Sequence, residues 1–145
     1  MKDISILGAG LLGSLLSIYL AKKGHKVNIY ERRPDMRKQT ISAGRSINLA
    51  LSERGWRGLR GVGLADEIRK IAIPMKGRMI HQMDGKLDFQ PYGKDGQAIY
   101  SVSRGEMNMR MMDQKNFTFI PHFFNERLKQ LAHGPLKKHS FFGVF

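Results

Sequence analysis

The first 33 residues of this 145-residue chain predict an α/β fold, on three observations. Residues 4–7, "ISIL", form a short apolar run of strand length. Three glycines follow at Gly8, Gly10 and Gly13, in the spacing G-x-G-x-x-G. An acidic residue, Glu31, stands 18 positions after the last of them. Strand, glycine turn, helix, strand and acid in that order make a Rossmann-like, dinucleotide-binding βαβ unit.

Each part of the unit has a local reason. Residues 11–23 carry apolar side chains at helical spacing without proline. They end at Lys22, Lys23 and Gly24, cations and then glycine, which is a helix stop. Residues 27–30 read as the second strand. Gly8 permits the tight turn, Gly10 lets backbone approach a pyrophosphate, and Gly13 lets the helix pack closely on the sheet. The helix N-terminus offers N–H groups to phosphates. Glu31 accepts hydrogen bonds from ribose hydroxyls, and its charge opposes a 2′-phosphate. The unit suits NAD or the adenosine half of FAD and does not by itself separate the two.

Composition bounds the rest. The length allows one domain at most. With no cysteine there is no disulfide and no thiolate chemistry, which fits a reducing compartment and a cytoplasmic location. The N-terminus reads as a strand and not as a signal peptide, and no run of 18 apolar residues predicts a membrane span. The net charge of +13, from 25 Lys and Arg against 12 Asp and Glu, raises the question of nucleic acid. The cations are scattered and no aromatic residues interleave with them as stacking platforms. No nucleic-acid partner is expected; a chain parted from acidic neighbours accounts better for the imbalance.

Further along, Ser52 is placed to cap a helix running to about Arg60. Leu51, Trp56, Leu59 and Val62 form its apolar side and Arg54, Arg57 and Arg60 its solvated face. Gly61 and Gly63 are expected to break it. A short helix follows at 64–71, and Pro74 stops any continuation. Residues 77–93 read as a hairpin about Asp84-Gly85, a two-residue turn signal, with Ile80, Leu87 and Phe89 on one apolar face. Residues 98–103 read as a strand. Ser103 and Glu106 match a capping box, opening a helix whose Met107, Met109, Met111 and Met112 are expected to pack in a core. The five histidines show no zinc spacing, and neither a G-x-S-x-G elbow nor a P-loop lysine is present. No metal and no catalytic side chain are expected.

Four further stretches carry a resemblance: "GRSINLALSERG" (44–55), "IPMKGRMIH" (73–81), "QPYG" (90–93) and "YSVSRGEMN" (100–108). In order and in spacing, over residues 1–112, the chain resembles the kynurenine 3-monooxygenases, FAD-dependent aromatic hydroxylases of tryptophan degradation. The resemblance implies FAD on Gly8, Gly10 and Gly13, with Leu12, Tyr30, Glu31, Arg32 and Arg33 on the adenosine side. It places Ala50 and Arg104 at the flavin. A cation at a helix start is unfavourable against the dipole, so an anionic partner would explain Arg104. Arg78 and Tyr92 match positions that hold the substrate carboxylate, a guanidinium fork and one phenol donor. With a two-residue turn, Arg78 lies opposite Pro91 and Tyr92 faces the other way, so a bulge near Pro91 is needed to aim both at one ligand.

The resemblance also implies a reaction. NADPH reduces the flavin, and oxygen then hydroxylates L-kynurenine to 3-hydroxykynurenine, with the protein supplying binding and orientation. It implies an incomplete Rossmann-like FAD-binding domain over 1–128, with part of the substrate-domain hairpin. "FFNER" (123–127) resembles a family strand. Residues 129–145 are expected to be a divergent tail, frameshifted or disordered. The family's later Gly-Asp motif, substrate-domain sheet and helical C-terminal part find no counterpart, so the chain is expected to be inactive alone. The alternatives are a stand-alone FAD- or NAD-binding module and a nonfunctional gene fragment. The first predicts bound cofactor, the second an aggregating product.

Overall fold

A computed structural model describes residues 1–38, 47–94, 97–114, 117–120 and 140–143. "FFNER", His122, His133 and His139 lie outside the described residues. The elements are β1 (Asp3–Leu7), α1 (Leu11–Lys22), β2 (Lys26–Tyr30), β3 (Asn48–Leu51), α2 (Glu53–Val62), α3 (Ala65–Arg69), β4 (Ile73–Met75), β5 (Gly77–His81), β6 (Leu87–Pro91), β7 (Ile99–Ser103), α4 (Arg104–Met112), β8 (Thr118–Ile120) and β9 (Ser140–Gly143). They divide into two compact units, one drawn from Met1–Arg45 and Gly105–Phe145, the other from Ser46–Arg104. No helix among the described residues is long and apolar enough to cross a membrane.

The first unit is the α/β fold the glycine spacing predicts. Its four strands are parallel, in the order β8-β2-β1-β9. Along one face of the sheet, β1 and β2 pair Ile4 with Val27 and Ile6 with Ile29 and bury all four almost completely. Leu16 and Leu20 of α1 and Met112 of α4 pack on this cluster. Within the stretch 129–145, expected to be a divergent tail, frameshifted or disordered, residues 140–143 form β9, in register with Ile4–Leu7 of β1.

Helix α1 is apolar all round, and its most buried residues are mostly its smallest: Gly13, Ser14, Ser17 and Ile18. Small side chains let the helix axis lie close to the strands. The serines satisfy themselves on backbone, Ser17 Oγ donating to the Gly13 carbonyl at 2.7 Å and Ser14 Oγ to the Ala9 carbonyl at 3.3 Å. A Cβ on Gly13 would collide with the carbonyl oxygen of Gly8.

The second unit holds an antiparallel sheet, order β3-β7-β4, and the separate β5-β6 hairpin. Helix α2 buries Trp56, Leu59 and Val62, as its apolar spacing requires. Gly61 does not break it. The helix runs through to Val62, and Gly63, at φ 76°, provides the left-handed C-cap. Ser52 sits at the N-cap without a side-chain hydrogen bond. The second helix is shorter than expected, because the chain leaves it after Arg69 to enter β4. Pro74 lies inside β4, an edge strand, the place in a sheet where proline is tolerated. Arg69 stacks over Trp56 at 4.5 Å and Tyr100 at 5.2 Å and donates to the Tyr100 hydroxyl at 3.1 Å, joining α3, α2 and β7.

Two glycines of one motif are expected to respond unequally to the same change. Gly13→Ala pushes a methyl group into backbone that cannot yield, and should lower stability by about 3 kcal/mol. Gly10→Ala, with nothing within 4 Å of the added Cβ and φ −74°, should cost less than about 1 kcal/mol. Urea unfolding of the two variants checks the contrast.

Candidate functional site: a nucleotide cradle and a carboxylate hairpin

The cradle is built at the end of β1. Gly8 donates its N–H to the Tyr30 carbonyl at 2.7 Å and turns away at φ 101°, a conformation that favours glycine. The next N–H, that of Ala9, donates to Glu31 Oε2 at 2.8 Å. The Ala9 carbonyl accepts from Asn108 Nδ2 of α4 at 2.8 Å. Gly10 then caps α1, whose first N–H groups have no acceptor within the helix. The space a Cβ would take on Gly10 is open. Backbone donors, a helix N-terminus and open approach fit the pyrophosphate of a dinucleotide. Leu12, in the first turn, is 62% exposed.

Glu31 is 7% exposed and its oxygens are fully engaged. Besides Ala9, Oε1 accepts from the Arg33 N–H and Nε, both at 2.9 Å, and Oε2 from Arg33 Nη2 at 3.3 Å. Burial pushes the carboxyl up from its ordinary 4.5. The Arg33 fork, the Arg33 N–H and the Ala9 N–H outweigh burial and bring the pKa down to about 2. Glu31 therefore stays charged at any ordinary pH. Tyr30 is half-buried, and Arg32 and Arg33 are exposed. The next acid, Asp35, is buried and paired with Arg37 at 2.6 Å, while Arg37 Nη1 donates to the Met112 carbonyl at 2.8 Å. That bond ties the segment after β2 to the C-terminal end of α4.

In the second unit, Ala50 pairs with Ser101 across β3 and β7, and Asn48 with Ser103. Ala50 is exposed. Arg104 follows Ser103 directly, opens α4 and donates its N–H to the Ile47 carbonyl at 3.4 Å. The ladder thus sets the Ala50 and Arg104 backbones a few residues apart.

The hairpin departs from the expected register. Gln82 donates to the Lys86 carbonyl at 2.9 Å and Gly85 to the Gln82 carbonyl at 3.0 Å. Gly85 is left-handed at φ 83°, and Asp84 Oδ1 accepts the Lys86 N–H at 3.1 Å. The loop therefore has three residues, Met83 to Gly85, a turn closed by a left-handed glycine, in place of the two-residue turn. One extra residue shifts every pairing. Arg78 faces Gln90, not Pro91, and Ile80 faces Asp88. Tyr92 donates its N–H to the Lys76 carbonyl at 2.9 Å, continuing the ladder one step. By strand alternation Arg78, Gln90 and Tyr92 then share a face, and no bulge is needed. Met79 takes the place expected for Ile80 beside Leu87 and Phe89 on the other face, where all three are half or more exposed.

Gln90 Oε1 accepts from Arg78 Nε at 2.7 Å, which orients the guanidinium. Among the described residues no carboxylate pairs with Arg78. Tyr92 is 44% exposed. A cavity of about 370 Å³ opens at the hairpin base, lined by Pro74, Lys76, Phe89, Lys94, Gln97 and Tyr100 among others; neither Arg78 nor Tyr92 lines it.

Three features escape a reading of the sequence. Arg33 closes on Glu31, Asp35 pairs with Arg37, and Asn108 reaches the glycine turn. Only Asn108 leaves a signal: it is the one polar residue on the buried face of α4, beside Met107, Met111 and Met112.

The depressed pKa of Glu31 has a consequence for stability. Its contribution is fully present above the ordinary value of 4.5 and is lost as pH falls toward about 2. Allowing for the solvent exposure of Arg33, the expected loss is on the order of 1–2 kcal/mol. Urea midpoints of the chain and of Glu31→Gln, measured from pH 6 to 2, should converge across that window; parallel curves would contradict it.

A family model described as an NAD(P)-binding Rossmann-like domain matches residues 6–63. The chain is 52% identical to the kynurenine 3-monooxygenase of Flavobacterium johnsoniae over 125 residues, which are 86% of this chain and 28% of that one. With the kynurenine 3-monooxygenase of Myxococcus xanthus it shares 59% over 113 residues, 77% of this chain and 24% of that one. The corresponding protein of Anopheles gambiae is 47% identical over 128 residues, 87% and 26% of the two chains. Among solved structures, p-nitrophenol 4-monooxygenase from Pseudomonas putida superposes with TM-score 0.62 at 18% identity, covering 84% of this chain and 33% of that one. A peptidyl tryptophan dihydroxylase does so with TM-score 0.54 at 23% identity, covering 83% and 25%. At those identities the two structures speak for the fold alone. The chain spans 24–30% of the length of the curated relatives it matches. With relatives of one name at 41–59% identity along 74–90% of its own length, the chain belongs to the kynurenine 3-monooxygenase family.

Proposed function

We propose that this chain is the nucleotide-binding and carboxylate-binding part of a cytoplasmic, FAD-dependent, NADPH-using hydroxylase that converts L-kynurenine to 3-hydroxykynurenine. The observation that carries the reading is the common face of Arg78 and Tyr92, in a chain whose relatives bear this name. FAD, when bound, supplies the redox and oxygen chemistry, and the side chains bind and orient. The N–H groups of Gly10 and the first turn of α1 meet the pyrophosphate. Glu31 meets the ribose, and its four accepted bonds mean that the diol enters by taking over positions now held by Arg33. Leu12, Tyr30, Arg32 and Arg33 flank the adenosine, while Ala50 and Arg104 attend the flavin end. Arg78, its plane set by Gln90, grips the substrate carboxylate with Tyr92. Residues 1–128 form the partial FAD-binding domain and 129–145 a divergent tail.

This reading makes two binding predictions for the chain itself. FAD added to the chain should bind through its adenosine end, and Gly10→Val should abolish that binding, because a branched side chain fills the open approach. L-Kynurenine should perturb the Arg78 and Tyr92 resonances. Arg78→Lys keeps the charge but loses the planar fork, and should weaken the interaction about tenfold while FAD binding is unchanged. Loss of FAD with ordinary kynurenine binding would refute the carboxylate assignment.

Activity gives the third test. Hydroxylation by a flavin needs walls that exclude water from the reacting ring, and the described residues show no such enclosure around Arg78 and Tyr92, with Tyr92 44% exposed. The chain alone, supplied with FAD, NADPH, oxygen and L-kynurenine, should form no 3-hydroxykynurenine; product formation would favour a stand-alone enzyme.

A further inference from the structure

Ala9 lies in the middle of the glycine turn, and both of its polar backbone atoms are held by buried side chains. Its N–H donates to Glu31 Oε2 at 2.8 Å. Its carbonyl accepts from Asn108 Nδ2 at 2.8 Å, across 99 residues of sequence, with a longer bond from Ser14 Oγ at 3.3 Å. Asn108 is 5% exposed. The peptide that carries the Ala9 carbonyl also carries the Gly10 N–H. In a planar trans peptide those two groups point in opposite directions. A carbonyl drawn inward onto a buried amide therefore turns the Gly10 N–H away from the core, and the approach to Gly10 is open.

Packing alone does not account for the choice of residue. Asn108 shares its buried helix face with three methionines, and its Oδ1 is buried without a partner. An unsatisfied buried acceptor is costly, and a leucine of similar volume would leave none. What repays that cost is the bond that Asn108 Nδ2 donates to the Ala9 carbonyl.

We propose that Asn108 is a positioning residue for the pyrophosphate: by holding the Ala9 carbonyl it aims the Gly10 N–H at the phosphates of a bound dinucleotide. The inference rests on the dinucleotide reading of the cradle. It adds a residue on α4, outside the glycine motif, that decides how well the motif binds phosphate. Adenosine, held at Glu31 and lacking phosphate, should be indifferent to it.

The test is an amide NMR titration of the 145-residue chain with ADP, inorganic pyrophosphate and adenosine. In the unsubstituted chain, ADP and pyrophosphate should shift the Gly10, Leu11 and Leu12 amides. Asn108→Leu removes the donor, and Asn108→Asp sets a carboxylate against the carbonyl. Both should weaken ADP and pyrophosphate by at least about tenfold and adenosine by less than about twofold. Equal losses for ADP and adenosine would reduce Asn108 to a folding role. ADP binding unchanged in both variants would overturn the proposal while leaving the dinucleotide reading intact. No shift at these amides in the unsubstituted chain would remove that reading and the proposal together. Hydrogen exchange in the unsubstituted chain adds a measurement that a folding defect in the variants does not touch. The Asn108 Nδ2 protons should be protected, and the Gly10 amide should become protected only when ADP is added. A Gly10 amide already protected in the free chain would overturn the proposal.

Discussion

The bond from the Ala9 N–H to Glu31 is the constraint on which the rest of the cradle depends. It joins the turn leaving β1 to the residue leaving β2, so the glycine loop and the acid cannot drift apart. A buried carboxylate survives only if its charge is answered, and here the answer is local: the Ala9 N–H, the Arg33 N–H and the Arg33 fork. The same bonds that keep Glu31 ionised also occupy it. On the proposed reading a ribose diol would exchange with Arg33, which is mostly solvated and loses little on release. The Ala9 bond, by contrast, is buried and stays. Glu31 thus has a fixed oxygen for the turn and a negotiable one for a ligand.

The glycine unit was legible because each of its constraints is local. Gly8 needs a positive φ, and Gly13 needs the absence of a Cβ against the Gly8 carbonyl, so the spacing alone reveals both. The apolar side of α2 was legible for the same reason, since Trp56, Leu59 and Val62 recur at helical period, whereas Leu51, expected on that side, ends β3 before the helix begins. Gly61 misled because glycine in a helix costs only about 1 kcal/mol, which the burial of Val62 offsets.

The hairpin register was not legible, because Asp-Gly serves two loops. It forms the centre of a two-residue turn or the last two positions of a three-residue loop. Local sequence does not separate these; the arms decide between them. In the observed register Met79 faces Phe89 and Arg78 faces Gln90, while Ile80 faces Asp88. In the alternative, Arg78 would face Pro91. The one-residue difference inverts which side chains share a face, so the geometry of the candidate carboxylate site hangs on the conformation of Gly85. Asn108 and Arg33 were hidden for a different reason. Their partners lie on other elements or across a turn, and no spacing records them.

Two methionines, Met36 of the segment after β2 and Met112 of α4, make better sense beside Asn108 than as core filling alone. An amide brought into an apolar core has two N–H donors. One meets the Ala9 carbonyl; around the amide lie Met36 Sδ at 3.3 Å and Met112 Sδ at 3.6 Å. Thioether sulfur is a weak acceptor on a flexible side chain, so it fills space and still softens the desolvation of the amide. Leucines at those positions would pack as tightly and leave the second donor bare. The core of the first unit is therefore built around a polar group and not merely tolerant of one. Its net effect is to transfer rigidity from α4 to a single peptide of the glycine turn. A leucine at position 108 would give a core with fewer unsatisfied atoms and a turn whose Gly10 N–H is free to rotate out of aim.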